Sequence, residues 1–136
     1  MARVYTGKVE IPGEKIDDYF DAMQEREENF KPLCRQLRQW RGAFYRHLSK
    51  TFSLRTARHH AVVIDMFIDF LQWHTDVTSI NEITRGIANS YFRKWYIGKI
   101  GDKTESELKT AIKKFFKFLA QEKGIRNEAV LQSFKR

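Results

Sequence analysis

The sequence has one cysteine, Cys34, among its 136 residues. A single cysteine excludes an intramolecular disulfide framework and a zinc finger, and it favours a reducing compartment. No segment approaches the roughly 18 consecutive apolar residues of a membrane-spanning helix, and the N-terminus has no apolar signal-peptide region. We therefore expect a cytoplasmic protein that has no membrane partner.

Proline and glycine are also scarce, with two prolines, Pro12 and Pro32, and seven glycines. The long segments without these residues must form helices or strands, and their apolar residues recur at spacings of three and four, which indicates helices. Hydrophobic residues make up 42% of the chain, enough to argue against disorder. The sequence predicts an all-α, compact bundle of about five to six helices.

The first half of the chain predicts three helices. An acidic helix should run from Gly13 to about Asn29, and a second should begin at Pro32, because proline suits the first turn of a helix. In the second helix the apolar stripe is Leu33, Leu37, Trp40, Phe44 and Leu48. Ser53 should cap a third helix that ends near His74 and forms the centre of the bundle.

The second half predicts a fourth helix from Thr84 to about Ile97, with a turn at Gly98 and Gly101. Its expected buried face is Ile87, Ala88, Tyr91, Phe92 and Trp95. Thr104 and Glu107 have the spacing of a capping box for a fifth helix. Gly124 should end that helix in the left-handed conformation. Asn127 should cap a last, short helix.

The chain has no acidic residue between Glu28 and Asp65, and its net charge is +8. A positive field of this kind attracts polyanions through the release of counterions, so nucleic acid is the first partner to consider. The alternative is that the preceding acidic run folds back and neutralises the basic one. The acidic run comprises Glu10, Glu14, Asp17, Asp18, Asp21, Glu25, Glu27 and Glu28.

Three blocks of the sequence carry a family resemblance. They are Ser53-Leu54-Arg55-Thr56 followed by Phe67, Phe70 and Leu71; residues 79–84 leading into Tyr91 and Phe92; and Thr104 leading into residues 111–119. In order and spacing they resemble the N-terminal core-binding, or SAM-like, domain of phage integrases and other tyrosine recombinases. Gly124-Ile125 and Asn127-Glu128-Ala129 are similar to the end of that domain.

The resemblance implies double-stranded DNA binding in a prokaryotic, phage-encoded or plasmid-encoded protein located at the nucleoid. It divides the chain into an N-terminal helical extension, residues 1–50, and a core-binding domain, residues 51–136. The sequence departs from the family at Glu105, Lys109 and Glu128, and residues 1–50 exceed the usual lead-in. The family's catalytic His-x-x-Arg motif does not occur, so we expect DNA binding and no enzyme activity. A catalytic recombinase domain, or further copies of the chain on DNA, would be additional partners.

The expected DNA-binding residues lie at helix starts and on exposed helix faces, where hydroxyls, free backbone N–H groups and basic side chains suit phosphate oxygens. On the fifth helix, Lys109, Lys113 and Lys117 recur every four residues opposite the apolar stripe. Asn89 and its basic neighbours are the candidates for contacting base edges. The full set is Ser53, Arg55, Thr56, Arg58, Arg85, Asn89, Arg93, Lys103, Thr104, Ser106, Lys109, Lys113 and Lys117.

Other chemistry has little support in the sequence. The histidines lack the paired spacing of a zinc site, and His60 and His74 fall on an apolar face, so we expect core histidines, no metal and no cofactor. Asp65 and Asp69 should offset the charges of Arg58 and Arg55 on a solvent-exposed strip rather than bind a metal. Phe115, Phe116 and Phe118 should belong to the core rather than stack on bases.

Two origins fit these features. The chain is either a domain of a larger integrase or a stand-alone protein that has kept DNA binding and lost catalysis. The alternative function is a helical module for protein interaction or dimerisation, in which the acidic and basic helices bind partners or each other. Exposed Trp or Tyr on the outer faces of the first two helices would favour the alternative. One continuous basic surface from Arg55 to Lys117 would favour DNA.

Overall fold

A computed structural model of the chain describes residues 4–5, 11–100 and 105–133. These residues form five α-helices: α1 (Ile16–Ser49), α2 (Leu54–His74), α3 (Phe92–Ile100), α4 (Glu105–Glu122) and α5 (Glu128–Ser133). Short 3-10 turns occur at Gly13–Lys15 and Ile80–Glu82, and a π-helical segment, Ile87–Tyr91, leads into α3. Within the described ranges there is no strand, only an isolated bridge between Val4 and Thr75. The expected all-α bundle is confirmed.

Helix α1 is continuous through Pro32, so the expectation of two helices separated near that residue is wrong. A proline inside a helix removes one backbone hydrogen bond and crowds the preceding turn, at a cost of about 3 kcal/mol. The cost is offset by burial on both sides of Pro32. The apolar stripe begins before the proline, at Phe30, and continues without a break to Leu48.

Within α1 the acidic residues therefore lie mainly toward the N-terminal end and the basic residues toward the C-terminal end. A helix of 34 residues is about 50 Å long. The acidic residues of its first half cannot turn back onto the basic residues of its second half, so the alternative in which the acidic run folds back and neutralises the basic one does not hold within α1. The only ion pair that joins the two halves among the described residues is Glu28 with Lys31, whose side chains approach to 2.7 Å.

Helix α2 lies at the centre of the bundle, in contact with α1, α3 and α4, as predicted. Ser53 caps it, because the Ser53 hydroxyl oxygen accepts a hydrogen bond from the Thr56 backbone N–H at 3.1 Å. The buried residues of α2 are Ala57, His60, Ala61, Val63, Ile64, Phe67, Ile68, Phe70 and Leu71. All of them except His60 and Ala61 belong to one hydrophobic cluster with residues from α1, α3, α4 and α5, so α1 shares its core with the other helices.

The segment before α3 departs from the expected helical phase. In the π-helical stretch the turn is wider than in an α-helix, and the buried positions become Ile87, Ala88, Phe92 and Tyr96. Tyr91, expected on the buried face, is 44% exposed. Gly98 was expected in a turn but lies inside α3, and Gly101 lies outside the described residues.

The last two helices follow their local sequence signals. In α4 the predicted stripe of Leu108, Ala111, Ile112, Phe115 and Leu119 is buried. Gly124 has a φ of +67°, which confirms the left-handed residue after α4. The Asn127 side-chain oxygen accepts a hydrogen bond from the Val130 N–H at 3.1 Å, so Asn127 caps α5 as predicted. The same side chain donates to the carbonyl oxygens of Ile80 and Ile83.

Candidate nucleic-acid interface

Residues from two of the three sequence blocks meet in a cleft between the π-helical segment, α3 and α4. Asn89 and Arg93 line one side and Lys109 lines the other, above an apolar floor of Ala88, Phe92, Leu108 and Ile112. The cleft has a volume of about 20 Å³, which admits roughly one water molecule. Pockets for small organic ligands start near 300 Å³. The polar groups are therefore presented to an external surface rather than to a small ligand inside.

The lysines of α4 lie opposite its buried stripe. Lys109 and Lys117 are exposed, and Lys113 between them is half-buried. None of the three forms an ion pair with a residue that the structure describes. Phe115, Phe116 and Phe118 are buried in the core, as predicted, so their rings have no free face for a base. This side of α4 thus offers positive charge without aromatic stacking.

The first turns of α2 adjoin the other side of α4. His59 Nε2 lies 2.6 Å from a carboxylate oxygen of Glu107, and the Lys114 ammonium lies 4.0 Å from the centre of the Phe52 ring. Arg55 and Arg58 are exposed here, and neither pairs with an acidic residue in the described part of the chain. Helix α4 contacts both α2 and α3, so the candidate residues described on these three helices lie on neighbouring helices.

Two hydroxyls that were predicted to bind DNA, those of Ser53 and Thr56, take part in hydrogen bonds at the cap of α2. The Ser53 hydroxyl both accepts from the Thr56 N–H and donates to the Thr56 hydroxyl at 3.1 Å. Arg85 is exposed but does not line the cleft that holds Asn89 and Arg93. Lys103 and Thr104 lie outside the described residues, so the predicted capping box between Thr104 and Glu107 cannot be assigned. The side chain of Ser106 also lies outside them.

The arginines of α1 are partly neutralised by α2, a pairing that the sequence did not reveal. Arg38 contacts Asp65 at 3.0 Å and Asp69 at 3.1 Å, and Arg41 contacts Asp65 at 2.9 Å. Partial burial works to lower the pKa of Arg38, but the carboxylates, Asp69 foremost, raise it above its usual value. The expectation that Asp65 and Asp69 offset the charges of Arg58 and Arg55 is therefore wrong. The two aspartates instead form ion pairs that link α2 to α1.

His60 is a core histidine, as expected, with 6% of its surface exposed. Burial lowers the pKa of His60, and the nearby Lys114 and His59 lower it further. His74 is half-buried; its Nδ1 lies 3.0 Å from the Tyr5 carbonyl oxygen, and its ring stacks on Phe70. Among the described residues there is no group of three His, Cys, Asp or Glu side chains that could hold a metal ion.

A larger cavity, about 320 Å³, lies at the acidic end of α1. The Arg26 guanidinium sits 4.5 Å above the Tyr5 ring beside it. The lining residues are Tyr5, Tyr19, Ala22, Met23, Glu25, Arg26, Asn29, Asp76 and Thr78. Sequence reasoning missed this cavity, because nothing in the local pattern links Tyr5 to α1. Its acidic and basic side chains are mixed, and it does not extend the basic surface around α4.

Comparison with known proteins found no match to this chain among protein families, curated proteins or solved structures. In the part of the chain that the structure describes, no helix is both long enough and apolar enough to span a membrane.

Proposed function

We propose that the protein binds double-stranded DNA, without cleaving it, through a surface centred on α4. The observation that carries the proposal is the meeting of Asn89, Arg93 and Lys109 at one cleft. An amide and a guanidinium are the groups that contact base edges in the major groove. A lysine on the facing helix would bind the adjacent phosphate.

The charges around the cleft support the same assignment. Lys113 and Lys117 continue along α4, and Arg55 and Arg58 lie at the start of α2 on the other side. These cations carry no acidic partner among the described residues, whereas Arg38 and Arg41 of α1 do. Unneutralised cations are the ones that gain most from phosphate contact, because binding releases condensed counterions.

The resemblance to core-binding domains of tyrosine recombinases supports a more specific proposal. The protein would be the non-catalytic DNA-binding half of a site-specific recombinase or integrase, or a stand-alone relative, acting at the nucleoid. Its further partners would then be a catalytic recombinase domain or other copies of the chain on DNA. The proposal rests on the sequence blocks together with the placement of their residues around α4.

A second candidate function, a protein-interaction module, has one observation in its favour. On the acidic half of α1, Phe20 is 57% exposed and Ile16 is 42% exposed. Against it, Trp40 is buried, and Tyr19 and Tyr45 are half-buried. The outer face of α1 therefore lacks the exposed Trp or Tyr that would favour a protein-binding role over DNA.

The test is DNA binding measured by fluorescence anisotropy on a duplex over a range of salt concentrations. With about four to six phosphate contacts, the slope of log K against log salt should be roughly −4 to −5. Replacing Lys109, Lys113 and Lys117 together by Gln should weaken binding to all sequences alike and reduce the slope by about one unit per lost contact. The fold should survive, since surface changes of this kind cost under about 0.5 kcal/mol.

The matched control removes the same charge from α1, by replacing Lys31, Arg35 and Arg46 with Gln. These side chains are exposed and do not line the cleft, so the salt slope should stay close to that of the unmodified protein. The proposal fails if the protein does not bind duplex at about 50 mM salt, where charge attraction is strong. It also fails if the control variant loses binding while the lysine variant keeps it.

A further inference from the structure

The face of α1 opposite its buried stripe has an ordered charge pattern. Its residues recur at spacings of three and four, are acidic in the first half and basic in the second, and are exposed except for the half-buried Gly42. In chain order they are Asp17, Asp21, Gln24, Glu28, Lys31, Arg35, Gln39, Gly42 and Arg46. No other described helix covers this face. We refer to these nine residues as the outer stripe.

We propose that the outer stripe binds the outer stripe of a second copy of this chain, in an antiparallel pair related by a two-fold axis near Pro32. In this register Asp17 of each copy faces Arg46 of the other, and Glu28 faces Arg35. Gln24 faces Gln39, and Asp21 faces the small residue Gly42. A two-fold interface repeats every contact, so each of these pairs forms twice.

The charge pattern selects a second copy as the occupant. A parallel pair would place acidic halves together and basic halves together, which is repulsive. The antiparallel pair places each acidic half against a basic half, and like charges meet only at the two Lys31 side chains beside the axis. Asp17, Asp21, Arg35 and Arg46 have no ion pair with any residue in the described ranges. Glu28 and Lys31 do pair with each other, but an exposed pair of this spacing is weak and can be exchanged.

The outer stripe is almost entirely polar, and exposed ion pairs are screened by salt. The dimer should therefore be weak, and it should dissociate as the salt concentration rises.

The dimer does not depend on the proposed DNA function. Its residues lie on α1, and the proposed DNA surface lies on α2, the π-helical segment, α3 and α4. Either surface can be disabled while the other is measured, and the test of the dimer uses no DNA.

The test is sedimentation velocity of the full chain at about 100 μM, in about 50 mM and about 500 mM salt, concentrations that span weak and strong screening. We expect a dimer at low salt and a monomer at high salt. Two charge-reversal variants, Asp17→Arg with Glu28→Arg and Arg35→Glu with Arg46→Glu, should each be monomeric at low salt, with dimerisation weakened at least tenfold. An equimolar mixture of the two should form a heterodimer.

A control exchanges two neighbouring charges at the end of α4, Glu122→Lys with Lys123→Glu, and should dimerise like the unmodified protein. Circular dichroism confirms that each variant is folded. A protein that stays monomeric at low salt overturns the proposal, as do charge-reversal variants that still dimerise alone. A mixture that fails to form a heterodimer overturns the antiparallel pairing itself.

Discussion

Replacing Asn127 by alanine should destabilise the fold by about 2–4 kcal/mol, although the residue is remote from the proposed DNA surface. The Asn127 side chain is 4% exposed and makes three hydrogen bonds. Its amide nitrogen donates to the Ile80 carbonyl at 2.7 Å and the Ile83 carbonyl at 2.9 Å, and its oxygen caps α5. Loss of a cap costs about 1 kcal/mol. The Ile83 carbonyl, left buried without a donor, adds about 1–3 kcal/mol, whereas the partly buried Ile80 carbonyl can bond to water instead.

An aspartate at position 127 separates these contributions. Asn127→Asp keeps an oxygen that can cap α5, but it replaces the donor facing Ile80 and Ile83 with a second oxygen. We expect Asn127→Asp to be at least as destabilising as Asn127→Ala at neutral pH, because a buried carboxylate would face two carbonyls. Urea unfolding followed by tryptophan fluorescence measures both variants. If either loses less than about 0.5 kcal/mol, a level typical of neutral surface changes, the reasoning is refuted.

Three further predictions concern α1 and α2. Pro32→Ala should stabilise the protein by about 1–3 kcal/mol in chemical denaturation, because it restores a backbone N–H inside a continuous helix; no gain would mean that the proline is not strained. Lowering the pH below about 6.5 should reduce the melting temperature, because the pKa of His60 is lowered in the fold and the unfolded chain takes up the proton first. His60→Leu should flatten that dependence, and an unchanged pH profile would contradict it. A fragment of residues 51–136 should lack a cooperative thermal transition, since it loses six buried α1 side chains worth about 1.5–3 kcal/mol each; a cooperative melt would contradict this and would support the predicted division of the chain.

The features that the sequence predicted well depend on neighbours within about one helical turn. Ser53 and Asn127 cap helices because their side chains reach backbone N–H groups three residues ahead. Gly124 ends α4 because glycine adopts a positive φ without a steric penalty. The lysines of α4 follow from the helical period alone, since Leu108 and Ile112 fix which side is buried.

The features that the sequence missed depend on packing between distant segments. Judged from the neighbouring sequence alone, Pro32 indicates the start of a helix. In the structure the helix continues through Pro32, and Phe30 and Leu33 on its two sides are buried. The pairing of Arg38 with Asp65 and Asp69 spans about 30 residues and exists because α1 and α2 pack as an antiparallel hairpin. A periodicity argument assigns each residue to a face but cannot tell which face of another helix it meets.

The π-helical segment shows how a small local irregularity decides which residues can act together. In a regular α-helix Arg85, Asn89 and Arg93 would lie on one face, at spacings of four. The wider turn at Ile87–Tyr91 rotates the side chains that follow it, relative to their positions in a regular α-helix. Asn89 and Arg93 then line the cleft with Lys109, and Arg85 is left outside it. In the proposed complex, contact with base edges would fall to Asn89 and Arg93, while Arg85 would be restricted to the phosphate backbone.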